Sequence, residues 1–304
     1  KGERDMLLYD LIEKCSYRDE FQNEHEQCED CSYGDNCPGD CQKCLQHVHY
    51  PQNAPVPRKY DCVHMAECYY CKYASEITYG LACFAEIRNK KTLKIMSVGC
   101  GPCTELAAVD YLKEKGVLNY EKLQYRGIDP LGNVWRRIWS DIKEYFGNGI
   151  NFYQKDILEL VDIITRHSWV PDVLIFQYVF SDMYKNSSTI EINQFIDKLA
   201  TFLNACGEKP IYILCNDINL SKAYNGGREF FDALESKIGN PKIVRRMHFN
   251  NNNKDRHFEY GDEYKRNCLI FDDIPDEIRK AYNPFDSCAS AQILIKKEQK
   301  EVIR

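Results

Sequence analysis

The first 71 residues carry cysteines in a pattern suited to gripping metal. Cys28 and Cys31, Cys41 and Cys44, and Cys68 and Cys71 each have two residues between them. Two thiolates at that spacing hold one ion from a short turn, and two such pairs complete the tetrahedral shell of zinc. With Cys37, Cys62 and His49 added, the segment has donors for two zinc ions. Spacing leaves the pairing open, since two sites can be consecutive or interleaved, and Cys15 falls outside both. An iron-sulfur cluster is the alternative, because Cys37, Cys41 and Cys44 also have the spacing of a cluster-binding triad.

Nine of the 16 cysteines and four of the seven histidines lie in this segment. Disulfides are the weaker reading, because no secretory leader is recognised and the spacings are tight. A cytoplasmic location is expected. No apolar stretch approaches the roughly 20 residues that span a bilayer, so no membrane partner is expected. Residues 1–72 hold 8 Lys+Arg against 14 Asp+Glu, which accounts for the whole net charge of -6. An acidic module makes a poor general clamp for phosphates, and any basic site has to be local. Between the metal segments, Pro51, Pro55 and Pro57 favour extended chain. From Met65 to about Arg88 the apolar residues recur at helical spacing, predicting a helix that connects a metal-binding domain (1–88) to a second domain (89–304).

The second region alternates strand and helix. Strands are predicted at Lys94–Gly99, Leu123–Ile128, Asn151–Gln154, Val173–Phe180, Pro210–Cys215, Lys242–His248 and Ala291–Ile295. Helices fall between them, over Thr104–Lys115, Val134–Tyr145, Ile157–Arg166, Ile190–Leu203 and Arg228–Ile238. This is an α/β fold with a seven-stranded, mainly parallel, Rossmann-like sheet covered on both faces. Such sheets bind ligands at the carboxyl ends of their strands, where the strand order reverses.

Three of those strand ends carry informative residues. Val98-Gly-Cys-Gly-Pro-Cys-Thr-Glu105 joins the first strand to the first helix, where small residues let backbone approach a ligand and free amides at the helix start face it. Asp129, in Gly127-Ile-Asp-Pro130, ends the second strand where an acidic side chain can accept both hydroxyls of a ribose. Asp156 ends the third strand, within reach of a base amine.

In Val98–Glu105, Gly127–Asp129 and Lys155–Asp156 the chain resembles the class I S-adenosylmethionine (SAM)-dependent methyltransferases, over roughly residues 92–296. The resemblance implies that Gly99 and Gly101, with Cys100 and Glu105 in the same motif, line the methionine part of SAM. It also implies that Asp129, followed by Pro130, holds the ribose and that Asp156 with Ile157 meets the adenine. Phe176-Gln-Tyr-Val-Phe-Ser-Asp182 then supplies the fourth motif beside the methyl group. Gln177 is assigned there to the cofactor, and Tyr178 and Asp182 are the candidate catalytic residues. Ser97 replaces the acid common before the first glycine, and Cys103 stands at the third glycine position.

Methyl transfer from a sulfonium needs alignment, desolvation and sometimes a base, so few side chains are obligatory. No Asn/Asp-Pro-Pro-Tyr/Phe run is present, which disfavours adenine amino-methylation. The Asn-rich stretch 248–260 reads as a loop or a substrate lid, and Arg136, Arg137, Lys90, Lys91, Arg245, Arg246, Lys265 and Arg266 are candidates for a local basic rim. The leading expectation is a SAM-dependent methyltransferase acting on a macromolecule, RNA before protein, with the zinc module aiding recognition. The alternatives are a small-molecule methyltransferase and a non-catalytic SAM-binding scaffold.

Overall fold

A computed structural model describes the chain apart from residues 1–5, 23–36, 38, 51–52, 55–57, 160, 162–168, 207–208, 222–225, 250–258, 264–273, 275, 284–289 and 299–304. Its centre is a sheet whose strands are β1 (Asn89–Val98), β2 (Asn119–Ile128), β3 (Ile150–Tyr153), β4 (Val173–Gln177), β5 (Ile211–Ile218), β6 (Pro241–His248), β7 (Asp262–Glu263) and β8 (Ser290–Lys297). The order is β3-β2-β1-β4-β5-β8-β6-β7. β1 pairs in parallel with β2 and β4, while β8 runs antiparallel to both β5 and β6. The sheet is therefore mixed and has eight strands among the described residues, one more than the sequence predicts. The addition is the two-residue β7, too short to leave an alternating pattern.

Central strands of a parallel sheet are covered on both faces and read as unbroken apolar runs. Val173-Leu-Ile-Phe176 fits that rule, with all four side chains buried. Alternate residues enter opposite layers. Leu93, Ile95, Val173, Ile175, Leu214 and Leu294 join one core with α5 (Thr104–Glu114) and α6 (Gly132–Phe146). Met96, Val98, Leu174, Phe176, Ile213 and Ile293 join another with α7 (Val179–Asn186), α8 (Thr189–Ala205) and α9 (Glu229–Lys237).

The N-terminal helices extend the first of these cores. In α1 (Leu7–Gln22), Leu7, Leu8, Leu11, Ile12 and Cys15 are buried at helical spacing. The Leu7 amide donates to Asp110 Oδ2 at 2.8 Å, and the hydroxyl of Tyr282, on α10 (Asp276–Tyr282), donates to Asp19 Oδ2 at 2.7 Å. The predicted helix from Met65 is three pieces: α3 (Val63–Tyr73), a 3-10 turn Ala74–Glu76 and α4 (Ile77–Phe84). α2 (Cys41–His49) packs on α3, started by Asp40, whose carboxylate accepts the Lys43 amide. The strand predicted through Phe180 stops at Gln177, because Tyr178 at φ +57° turns the chain into α7. Of the helix predicted over 157–166, a 3-10 turn Ile157–Glu159 is described, and 162–168 lie outside the described residues. Among the described residues, no helix is long and apolar enough to cross a membrane.

Candidate functional site

The strand order reverses between β1 and β4, and the loops leaving these two strands form the crevice where ligands bind in such sheets. After β1 the chain takes up left-handed backbone at Gly99 (φ +62°) and Gly101 (φ +45°), and again at Cys103 (φ +58°), which precedes α5. Glycine pays no steric penalty there. The Gly99 and Cys100 amides donate to the Ile128 carbonyl at 2.8 and 3.1 Å, tying the loop to β2. A side chain at Gly99 would meet Val179 Cγ2 at 2.9 Å and Ile157 Cδ1 at 3.7 Å, so Ile157 and the start of α7 close around this loop.

Asp129 completes the cradle. Its Oδ2 accepts the Gly101 amide at 2.9 Å and its Oδ1 the Leu131 amide at 2.8 Å. The Trp139 indole donates to the Gly101 carbonyl at 2.9 Å, and Trp135 packs against Gly101. Burial pushes the Asp129 carboxyl up to about 6, against the pull of the two amides. A carboxylate has about four acceptor positions, so each oxygen retains capacity for a ligand hydroxyl. Pro130 is exposed in the turn to α6. Asp156 is also exposed, its Oδ1 accepting the Leu158 amide at 2.8 Å. Glu105 points into the core instead, where it accepts the Tyr125 hydroxyl at 2.5 Å; burial raises its carboxyl.

At the end of β4, Gln177 Nε2 donates to Glu76 Oε2 and to Thr104 Oγ1, both at 3.4 Å. Burial pushes the Glu76 carboxyl up to about 8, so it is largely protonated at neutral pH. The Tyr178 amide donates to the Asn216 carbonyl at 2.8 Å. Asp217 Oδ2 accepts the Phe180 and Ser181 amides at 2.9 and 3.0 Å, an anion at the start of a helix, with its carboxyl raised to about 6 by burial. Asp182 lies on the first turn of α7, its side chain 60% exposed and paired with Lys185 at 3.3 Å.

The structure places the predicted metal ligands variously. Cys28 and Cys31 lie outside the described residues. Cys41 and Cys44 are on α2, Cys62 precedes α3, and Cys68 and Cys71 are buried on α3. Burial raises the thiols of Cys62 and Cys68, and the nearby Cys37 and Cys44 respectively add to that shift. His49 is engaged otherwise: Nε2 lies 2.5 Å from the Tyr60 hydroxyl and Nδ1 2.7 Å from the Tyr73 hydroxyl. Burial lowers this imidazole to about 4, keeping it neutral. Tyr69 packs tilted against Tyr73 at 4.5 Å and meets Trp135 edge-on at 5.6 Å, so an aromatic wall runs from His49 to the glycine loop. Among the described residues, no group of three or more His, Cys, Asp or Glu is gathered as a metal shell.

Four residues of the expected basic rim are drawn to acids. Arg137 turns to Glu67, Arg245 to Glu86, Arg246 to Glu235 and Lys90 to Asp172, while Lys265 and Arg266 lie outside the described residues. Glu76 escapes a sequence reading because nothing near it in the chain marks a site. Its only signal is a lone acid in an apolar helical run.

No family model and no curated protein matches the chain. Similar solved structures include a precorrin-6y C5,15-methyltransferase from Geobacter metallireducens GS-15, at 10% identity over 73% of this chain and 88% of that one, TM-score 0.40. Another is a putative class I SAM-dependent methyltransferase from Listeria monocytogenes, at 13% identity over 98% and 80%, TM-score 0.40. A third is a putative SAM-dependent methyltransferase from Streptococcus mutans, at 12% identity and TM-score 0.40, where 73% of this chain spans 47% of that one.

Proposed function

We propose that the chain is a SAM-dependent methyltransferase. The observation that carries this reading is the left-handed Gly99–Gly101 loop closed onto Asp129 at the switch point of a doubly wound sheet. The fit is sound where it can be tested on side chains: a Cβ would fill the cradle at Gly99, and Asp129 retains acceptor capacity beside it. Gly99, Cys100 and Gly101 would hold the amino-acid end of SAM, Asp129 the ribose, and Ile157 with Asp156 the adenine. When bound, SAM supplies an electrophilic methyl group on sulfur.

The chain's own residues then do the positioning. Asp129 fixes the loop, and Gln177, tied to Glu76 and Thr104, fixes the end of β4 where the acceptor approaches. Tyr178, at the turned backbone after β4, and Asp182, exposed on the first turn of α7, are the residues proposed to face the acceptor. The aromatic wall of Tyr60, Tyr69, Tyr73 and Trp135, whose Tyr60 and Tyr69 lie near Glu76, would exclude water beside it.

Zinc belongs to the same proposal. It rests on the spacing of the thiols: among the described residues no three ligand side chains are gathered, so an ion would have to draw Cys37, Cys41, Cys44, Cys62, Cys68 and Cys71 together, and would then stabilise the N-terminal segment. A second ion would draw on Cys28 and Cys31. RNA remains the macromolecular acceptor proposed from sequence. The pairing of Arg137, Arg245 and Arg246 with acids favours, as a second reading, an acceptor bound through the pocket and not through phosphates.

Calorimetric titration of SAM into the purified chain and into Asp129→Ala tests the assignment. Micromolar binding that the variant loses is the expected result; no binding to the wild type sinks it.

A further inference from the structure

Beyond the cofactor cradle, a buried amide stands unpaired at the carboxyl end of the sheet. Asn216 is fully buried at the carboxyl end of β5, and among the described residues neither its amide nitrogen nor its amide oxygen has a hydrogen-bond partner. A buried amide left unpaired is expensive, and its presence in a native core calls for an explanation. Its position supplies one. Asn216 pairs in register with Gln177 on the neighbouring strand, so the two side chains project from the same face of the sheet, the face that also carries Ile175 and Leu214. On its other side Asn216 is opposite Gln292, also buried. Gln177 reaches Glu76 and Thr104, and Val98 pairs with Phe176, so this row of amides begins one residue from the glycine loop.

We infer that Gln177 and Asn216, with the Glu76 carboxyl hydrogen-bonded to Gln177, form the floor that recognises the methyl acceptor, and that this floor selects a neutral group presenting a donor beside an acceptor. A carboxamide, or the N–H and C=O edge of a heterocycle, has that pattern. The inference rests on the methyl-transfer reading and names the acceptor for it.

Charge decides the class. Among the described residues, the titratable groups acting on Glu76 are Glu105 on α5 and Tyr60 and Tyr69 from the aromatic wall. None is cationic, so a carboxylate or phosphate finds no counter-charge there. Burial keeps Glu76 protonated at neutral pH, and Glu105, its carboxyl also raised by burial, is already engaged by the Tyr125 hydroxyl, so neither offers an ammonium group a free carboxylate. What remains is a set of neutral donors and acceptors: two amides, a carboxyl and the Thr104 hydroxyl.

The test titrates benzamide, benzoate and benzylamine into the full chain loaded with S-adenosylhomocysteine. Benzamide is expected to bind at least about tenfold more tightly than the two charged isosteres, a difference of about 1.4 kcal/mol. Asn216→Leu is expected to lose that preference and also to raise the Tm of the unliganded protein, since it removes the unpaired amide. Should that substitution impair folding, Asn216→Ser serves for the binding arm. Glu76→Gln is expected to abolish the pH dependence of benzamide binding, which in the wild type weakens about tenfold by pH 9 as Glu76 ionises. Equal binding of benzoate overturns the inference, as does Asn216→Leu with unchanged benzamide affinity and unraised Tm. Titration of S-adenosylhomocysteine alone reads the methyl-transfer assignment separately. Uridine against a uridine-containing oligonucleotide, titrated alongside, distinguishes a free ring from one carried on RNA, and tighter binding of either supports the floor.

Discussion

The Gly101 amide donates to Asp129 Oδ2 at 2.9 Å, so the carboxylate that ends β2 holds the glycine loop of β1 in its left-handed form. One residue thus has a structural role and a ligand role. Asp129→Ala is expected to weaken SAM binding at least about tenfold and to destabilise the fold by about 2 kcal/mol, because two amides lose their acceptor. Asp129→Asn, which retains one acceptor oxygen, should fall between. Calorimetry and urea unfolding on the same samples separate the two effects.

The same burial sets a pH dependence. An acid whose folded pKa is raised binds its proton more tightly when folded, so it favours the fold most at low pH. That contribution declines as pH rises from the unfolded value to the folded one and is constant beyond. For Asp129 and Asp217 the window runs from 3.8 to about 6, and for Glu76 from 4.5 to about 8. The urea midpoint should therefore fall as pH is raised through this range. Glu76→Gln should abolish the part of the decline between about pH 6 and 8, and an unchanged profile in that variant contradicts the placement of Glu76.

Arg18 joins the N-terminal segment to the sheet's helices. It donates to Glu67, which is fully buried, and to Asp141 on α6 at 2.7 Å. Removing one partner of a buried ion pair leaves an uncompensated charge, so Arg18→Leu is expected to cost about 3 kcal/mol, measured by denaturant unfolding. Arg137, also beside Glu67, limits the loss. A change under about 1 kcal/mol would show that Arg137 alone suffices.

For metal, the structure separates residues that the spacing groups together. Cys68→Ser should lower the zinc content by about one ion, whereas His49→Gln should leave it unchanged, since both nitrogens of His49 face tyrosine hydroxyls. Plasma emission spectrometry of the purified proteins reads this directly. A wild type without zinc removes the metal reading altogether.

Asp217 is the cap that no motif announced. From a strand further along the chain, its carboxylate accepts the Phe180 and Ser181 amides, 37 and 36 residues earlier. Asp217→Ala is expected to cost about 2 to 3 kcal/mol and to loosen α7, visible as faster hydrogen exchange at Phe180 and Ser181.

Much of this architecture is written locally. Alternating apolar runs and amphipathic stretches place β1 to β6, β8 and most of the helices between them, because strand and helix periods are properties of neighbouring residues. Gly99, Gly101 and Asp129 are legible for the same reason: a strand end followed by glycines constrains its own backbone, and the structure brings these residues together. Locality also explains the misses. The run from Met65 carries a helical pattern throughout, yet tertiary packing breaks it at Ala74–Glu76, and the strand after Val173 ends when Tyr178 takes a left-handed turn. β7 is two residues long and leaves no pattern.

What the residues by themselves determined is therefore the α/β class, the cradle after β1 and the supply of thiols near the N-terminus. Tertiary structure decided which distant groups share an environment. Glu76 meets Gln177 across 101 residues, and His49 sits between Tyr60 and Tyr73 although its spacing suits a metal. Asn216 lies beside Gln177 only because β5 follows β4 in register. Strand order and register set such neighbours, and they arise from the packing of whole layers, whose energy is summed over contacts far apart in sequence.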